Sequence, residues 1–254
     1  MRTSVRSTAV AVTAASLALF VTACGGGEKG DDEDTGKGAA PSASATSAAP
    51  AAEALSAAEL EKLIVEQADL PGHQVQKAKA ADILKADAVS ADKPSCTPLA
   101  HAMSAVATGE PGASAQRKAI EVPKTEGATA SPEEALGALA APITSVTLGS
   151  YEGQGAQEAF ASLKTAGTDC AGGFTLLGGG EKTQITKVAP ETVSAGDESL
   201  AWTVTTGADG ESFVTKLVVF RKGNTLASFS TLSLGGKVEE LPKAVIDAQV
   251  AKLG

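Results

Sequence analysis

Three cysteines have the widest choice of chemistry in this chain: Cys24, Cys96 and Cys170. A thiol can pair as a disulfide, react as an exposed nucleophile or carry a lipid. In an exported protein, two of three cysteines can pair and one is left over. We therefore infer the role of each cysteine from the residues around it.

Cys24 follows an N-terminal stretch with the pattern of an export signal. Arg2 and Arg6 give a basic start, and residues 9–21 are apolar, small or carry a lone hydroxyl group. This run of 13 residues is shorter than the roughly 20 that a membrane-spanning helix needs. One interpretation is ordinary secretion, because a general signal peptidase accepts the small-residue pattern of Val21-x-Ala23.

The other interpretation is lipidation. The sequence Val21-Thr22-Ala23-Cys24 resembles the lipobox of bacterial lipoproteins, which is an aliphatic residue, two small residues and a cysteine. The resemblance implies that Cys24 receives a diacylglycerol and that residues 1–23 are removed as a lipoprotein signal peptide. Two acyl chains suffice for stable anchoring. We therefore predict a protein attached through its lipid to the extracellular face of the cell membrane.

Cys96 and Cys170 remain, and we predict a disulfide between them. Closing a loop of about 75 residues stabilises a fold by roughly 4 kcal/mol in the chain-entropy model. The alternative is two buried thiols, which is unusual in an oxidising compartment.

The other candidates for catalysis or ligand binding lack the companion residues that would complete a known motif. His73 follows Pro71-Gly72, so we expect it in a loop, and His101 has no second histidine at the spacing of a zinc helix. Ser90-Ala-Asp-Lys93 has the bare S-x-x-K spacing without the companion motifs of penicillin-interacting enzymes. Gly178-Gly-Gly180 lacks the lysine and serine of a phosphate-binding loop. We predict no catalytic residue, no metal site and no cofactor.

Two further features have a structural and a binding interpretation. Gly196-Asp197-Glu198-Ser199 either presents carboxylates to a ligand or turns the chain into the next strand, and we favour the turn. Trp202 is the only tryptophan and lies in an alternating strand, which is more typical of a core residue than of a binding platform.

Composition divides the chain into a signal peptide, a tether and one domain. Residues 24–54 are small, charged or proline residues that cannot form a core, so we predict a flexible tether there. Residues 55–254 are long enough for one globular domain. Loss of Arg2 and Arg6 leaves 19 of 21 basic residues against 30 acidic ones. The resulting net charge of −11 argues against nucleic acid as a partner.

Apolar periodicity predicts helices and strands within this domain. The helices are expected at 57–69, at 97–107, from 153 onwards and at 242–253. Strands are expected at 116–122, 143–151 and 183–188, and three more with short turns form a C-terminal antiparallel meander. We predict an α+β fold, an antiparallel sheet with helices packed on one face.

The order of parts also resembles a known group of proteins. A lipobox and a tether precede "ADLPGHQV" at 68–75, "TDC" at 168–170 and "GDESLAW" at 196–202. This order resembles lipoproteins of high-GC Gram-positive bacteria whose globular part is similar to the extracellular sensor domain of actinobacterial membrane Ser/Thr kinases. The resemblance implies a sensor-like module outside the membrane.

Two non-enzymatic functions fit these observations. The first is a cell-surface lipoprotein that binds an unknown small ligand or protein partner. The second is a carrier of lipids or glycolipids in the cell envelope. A polar surface cleft over a packed core favours the first, whereas a large apolar cavity between sheet and helices favours the second.

Overall fold

A computed structural model describes residues 53–122, 140–208, 211–235 and 238–254 of the chain. The predicted signal peptide (1–23), Cys24 and the tether up to residue 52 lie outside these residues. The predicted turn at Asp209-Gly210 does so as well.

The α-helices of the described ranges begin close to where periodicity predicts them, but the first ends at Leu63 instead of residue 69, because Ile64 is extended with φ of −76° and ψ of 148°. They are Ala57–Leu63 (α1), Thr97–Met103 (α2), Gly155–Asp169 (α3) and Lys243–Leu253 (α4). The capping box of α1 is present, because Ser56 N donates to Glu59 Oε2 at 2.8 Å and Glu59 N donates back to the serine hydroxyl. α2 is shorter than predicted, because Ala105 adopts a left-handed conformation with φ of 56°.

The described strands form one antiparallel sheet in the order β1-β3-β4-β9-β8-β7-β6-β5-β2. They are His73–Lys77 (β1), Val89–Ala91 (β2), Ala113–Glu121 (β3), Ile143–Ser150 (β4), Phe174–Gly178 (β5), Glu181–Glu191 (β6), Glu198–Ala208 (β7), Glu211–Lys222 (β8) and Thr225–Leu232 (β9). The α+β class and the C-terminal meander are confirmed. β1, β2 and β5 were not predicted from the sequence.

Helices lie on both faces of this sheet, which corrects the expectation that they share one face. Successive residues of a strand point to opposite faces. In β8, Leu217 and Val219 pack in one core with α2 and α3, whereas Val218 and Phe220 pack in the other core with α1 and α4. The continuous apolar run in β8 therefore serves two cores.

The two helix layers are held to the sheet differently. We name α2, α3 and their core the disulfide layer, because Cys96 and Cys170 are joined there with a Cα–Cα distance of 5.9 Å. The predicted disulfide is thus confirmed. We name α1, α4 and their core the terminal-helix layer. In this second layer Gln249 of α4 is fully buried and bonds to the backbone that follows α1.

Candidate functional site

A cleft of about 310 Å³ opens at the end of the sheet where β1 and β4 begin and β3 and β9 finish. It lies next to residues 238–244, which lead into α4 and form its start. We name it the strand-end cleft. Its polar lining comes from distant parts of the chain: His73, Glu121, Thr144, Thr231, Glu239, Glu240 and Lys243.

His73 is placed in the cleft by the turn that precedes β1. Gly72 has a φ of 84°, which suits glycine, and His73 N donates to Leu70 O at 3.2 Å. Gln67 then binds the outer edge of the strand, since its Nε2 donates to His73 O at 2.7 Å and its Oε1 accepts from Val75 N at 3.0 Å. The prediction that His73 lies in a loop is wrong, because His73 is the first residue of β1 and pairs with Glu121 of β3.

His73 and Glu121 lie directly opposite each other on β1 and β3. The backbone of His73 bonds to Leu70 and Gln67 and that of Glu121 to Pro142, so the pair is of the non-hydrogen-bonded kind. Side chains are closest in such pairs, with Cβ atoms about 4.5–5.5 Å apart. The Cβ atoms of His73 and Glu121 are therefore close to each other, and both residues line the cleft.

The Nδ1 atom of His73 is buried and has no hydrogen-bond partner among the described residues. Buried polar atoms in folded proteins are nearly always paired. An unpaired one costs about 1–3 kcal/mol. His73 lines the cleft, and a polar ligand that reached this nitrogen would remove that cost.

Two buried threonines supply hydroxyl groups to the same cleft. Thr144 and Thr231 are opposed on β4 and β9, and their Oγ1 atoms lie 2.9 Å apart. One hydroxyl donates to the other, which leaves the second hydroxyl hydrogen for another acceptor. Thr144 and Thr231 are only 3% and 1% exposed, so a ligand bond to either would be shielded from water.

Carboxylates dominate the charge of the described cleft lining. Glu121, Glu239 and Glu240 are exposed at its rim. Lys243 is the one cation of this lining, and its Nζ lies 2.7 Å from Asp247 Oδ2 on the next turn of α4. The cleft therefore has an acidic rim around a polar floor.

The candidates singled out from the sequence have structural partners elsewhere. His101 Nε2 lies 3.1 Å from Val89 O, and Lys93 Nζ donates to Gly173 O at 2.8 Å. Gly178-Gly-Gly180 ends β5 and turns into β6, as expected for a strand connection. None of these residues lines the strand-end cleft.

Gly196 and Asp197 form the bend that leads into β7, which begins at Glu198, as the turn interpretation predicts. Asp197 Oδ2 accepts from Gly223 N at 2.8 Å, and Arg221 donates to both Asp197 and Glu198. Trp202 is 3% exposed and lies against Gly167 of α3, so it is a core residue as predicted.

The sequence drew attention to His73 but assigned it no role, and it did not single out the other polar residues of the cleft. A signal was present for the threonines, because Thr144 ends the series Leu148, Val146 on one face of β4, and Thr231 ends the series Ala227, Phe229 on the same face of β9. Each threonine is a polar residue at the end of an otherwise apolar strand face. The two indicate a shared site only when the register of β4 and β9 is known, because the register places them opposite each other.

A second, wider cleft of about 680 Å³ lies between residues 109–112 and the start of α3. Its carboxylates Glu110, Glu152 and Glu158 are exposed, and no buried side-chain atom without a partner lines it. In the described part of the chain, no group of three His, Cys, Asp or Glu side chains is arranged to hold a metal ion. The strand-end cleft is therefore the better candidate.

The comparisons with known proteins find a distant structural likeness and no family. No family model matches the chain, and no curated protein matches it. The chain is similar to the extracellular domain of the Ser/Thr kinase PknH from Mycobacterium tuberculosis, at 13% identity and a TM-score of 0.46. The match covers 79% of this chain and 97% of that one. At this distance, no ligand or partner follows for the present chain.

The described ranges contain the helices α1 to α4. No helix there is both long enough and apolar enough to cross a bilayer.

Proposed function

We propose that this chain is a non-catalytic binding module, anchored by a lipid on Cys24 outside the cell membrane, which binds a small polar ligand in the strand-end cleft. The observation that carries the binding function is the buried Nδ1 atom of His73, a cleft residue that is paired with Glu121 across the sheet. This nitrogen has no partner among the described residues. Small-molecule sites typically combine a pre-formed cleft with a few polar groups that converge on it.

Packing favours this function over that of a lipid carrier. A carrier needs a large apolar cavity between sheet and helices, whereas buried side chains fill both faces of the sheet here. Seven of the twelve described residues that line the strand-end cleft are polar or charged, and the three carboxylates among them are exposed. These features suit a ligand with hydrogen-bonding groups better than an acyl chain.

The non-catalytic part of the proposal rests on the structural roles of the other reactive groups. His101, Lys93, Asp197 and Glu198 each bond to the backbone or to an arginine of the same fold. The lipid anchor rests on the lipobox, and the disulfide supports an exported protein because disulfides persist in oxidising compartments.

Binding is tested by ligand-observed NMR with a library of small polar compounds on the full-length protein in detergent. We expect compounds that bind the wild type to lose about tenfold in affinity with His73→Ala, since a charge-assisted or buried hydrogen bond is lost. Gln154→Ala in the second cleft is the matched control and should change nothing. Equal binding by both variants, or selective binding of long acyl chains, would refute the proposal.

The anchor is tested separately by the Cys24→Ala variant. We expect this variant in the culture medium and the wild type in the membrane fraction. A Cys24→Ala protein that stays in the membrane contradicts the lipid anchor without affecting the cleft.

A further inference from the structure

We infer that the strand-end cleft binds a small organic cation, an alkylammonium or alkylguanidinium group on a short apolar stem. This inference rests on the proposed binding function and names the chemical class of its ligand. Four features carry it: the charge of the rim, the acceptors in the floor, the apolar walls and the size of the cleft.

The charge of the rim favours a cation. Glu121, Glu239 and Glu240 contribute three carboxylates, and Lys243 is the one cation among the described lining residues. Lys243 is already paired with Asp247. An anion in the cleft would meet three like charges, whereas a cation would gain attraction from each of them.

The floor offers acceptors to a group that has only donors. An ammonium group has three N–H donors and a guanidinium group has five, and neither has an acceptor. In the floor, the Thr144–Thr231 pair has unused lone pairs, and His73 Nδ1 has a lone pair in the tautomer that carries its proton on Nε2. Glu121 adds a carboxylate at the rim. These residues belong to four strands, β1, β3, β4 and β9.

The remaining walls suit a short hydrocarbon stem. Pro142, Val238, Leu241 and Pro242 line the cleft beside the polar groups. A volume of about 310 Å³ is at the lower end of the range for small-molecule pockets. The ligand is therefore the size of a basic amino-acid side chain or a small free amine.

The experiment compares four probes that share one stem: n-butylammonium, n-butylguanidinium, 1-butanol and butyrate. Each is titrated by ligand-observed NMR into the full-length protein in detergent, at one ionic strength and neutral pH. We expect both cations to bind at least about tenfold more tightly than butanol, because charge-assisted hydrogen bonds are about twice as strong as neutral ones. Butyrate should bind more weakly than butanol.

Charge-neutralising variants locate the effect. Glu121→Gln and Glu239→Gln keep the shape of the side chain, and we expect each to weaken cation binding at least about fivefold without affecting butanol. Glu152→Gln in the second cleft is the matched control and should leave all four affinities unchanged. The melting temperature of each variant checks that the fold is intact.

The outcomes separate this inference from the function on which it rests. Preferential binding of butanol or butyrate, weakened by His73→Ala, overturns the cationic ligand and leaves a polar binding site. Cation binding that is insensitive to Glu121→Gln and Glu239→Gln also overturns it. If no probe binds and the polar library finds no ligand either, both the inference and the proposed function fail.

Discussion

The two helix layers bury similar apolar side chains against one sheet, but they are fastened by different chemistry. In the disulfide layer, a covalent bond joins Cys96 and Cys170, both fully buried. The end of α2 is capped by neutral side chains of the sheet, since Thr147 and Gln116 donate to Ala105 O. The charged side chains near the disulfide bond to the backbone and not to each other: Lys93 Nζ donates to Gly173 O, and Asp92 Oδ1 accepts from Thr175 N.

The terminal-helix layer is held by amide and ionic contacts. Gln249 accepts from Val65 N at 3.0 Å and donates to Leu63 O at 2.8 Å. Lys252 binds Asp69 at 2.8 Å, and Arg117 of β3 binds Glu61 of α1 at 2.9 Å. These contacts join segments that are more than 50 residues apart in the chain.

The difference predicts different sensitivities for the two layers. A disulfide responds to reductants and not to moderate acid, whereas carboxylate pairs respond to acid and salt and not to reductants. The strand-end cleft lies against the start of α4, so it borders the layer that responds to acid. Four experiments test this division, and we take them from the largest expected effect to the smallest.

Removal of the disulfide should have the largest effect. The double variant Cys96→Ala, Cys170→Ala opens a loop closed across 74 residues, and the chain-entropy model gives a loss of about 4 kcal/mol in the free energy of unfolding. Urea unfolding of the variant and of the wild type measures this loss. A reductant should destabilise the wild type and leave the variant unchanged. A loss under about 1 kcal/mol would mean that packing alone holds α2 and α3.

Replacement of the buried amide should come second. Gln249→Leu leaves Val65 N–H and Leu63 C=O without partners in a dry core, which should cost about 2–3 kcal/mol. Gln76→Leu removes the same atoms from an exposed position of β1, and we expect it to stay within about 0.5 kcal/mol of the wild type. Equal effects of the two variants would contradict a fastening role for Gln249.

Overpacking at Gly167 in the disulfide layer should give the third-largest loss in the free energy of unfolding. A Cβ atom at Gly167 would lie 2.6 Å from Nε1 of Trp202, so Gly167→Ala overpacks the contact between α3 and β7. Overpacking costs about 1–3 kcal/mol, and this exceeds the gain in helix propensity of up to about 1 kcal/mol. Thr168→Ala, on the next and exposed residue of α3, should not destabilise. The fluorescence of Trp202 should change only with Gly167→Ala.

The sequence predicted most helices and the meander because their patterns are strong and local. A capping box opens α1, and β7 alternates apolar with small or polar residues between clear turns. β1 was missed because HQVQK has only one apolar residue. This strand lies at the edge of the sheet, with β3 on one side and the Gln67 side chain bonded to its backbone on the other. Helices on both faces were missed although Leu217–Phe220 is apolar without interruption, which is typical of a strand buried on two sides.

The cleft was beyond sequence reasoning for a different reason. His73 and Glu121 are neighbours only because β1 pairs with β3, and Thr144 meets Thr231 only through the register of β4 and β9. No spacing in the sequence encodes these pairings. In contrast, the disulfide could be predicted from a count, because only Cys96 and Cys170 remain once Cys24 is assigned to the lipid.

Acid should have the smallest effect, and it should act on the terminal-helix layer. The hydrogen bond from Arg117 holds the pKa of Glu61 below its usual value of 4.5, and the hydrogen bond from Lys252 holds the pKa of Asp69 below 3.8. Because the folded-state pKa lies below the unfolded one, the unfolded chain takes up the proton first as the pH falls. The stabilisation is therefore complete above about pH 5 and is lost as the pH falls through the folded-state pKa.

Hydrogen exchange followed from pH 6 to pH 3 separates the two layers. We expect amides of α1 and α4 to lose protection, relative to those of α3, as the pH falls below about 4.5. Glu61→Gln should cost up to about 1 kcal/mol at neutral pH and make the stability of α1 less dependent on pH, because its side chain no longer titrates. If acid exposes α3 before α1, the carboxylate pairs do not fasten the terminal helices, and the contrast between the layers reduces to the disulfide alone.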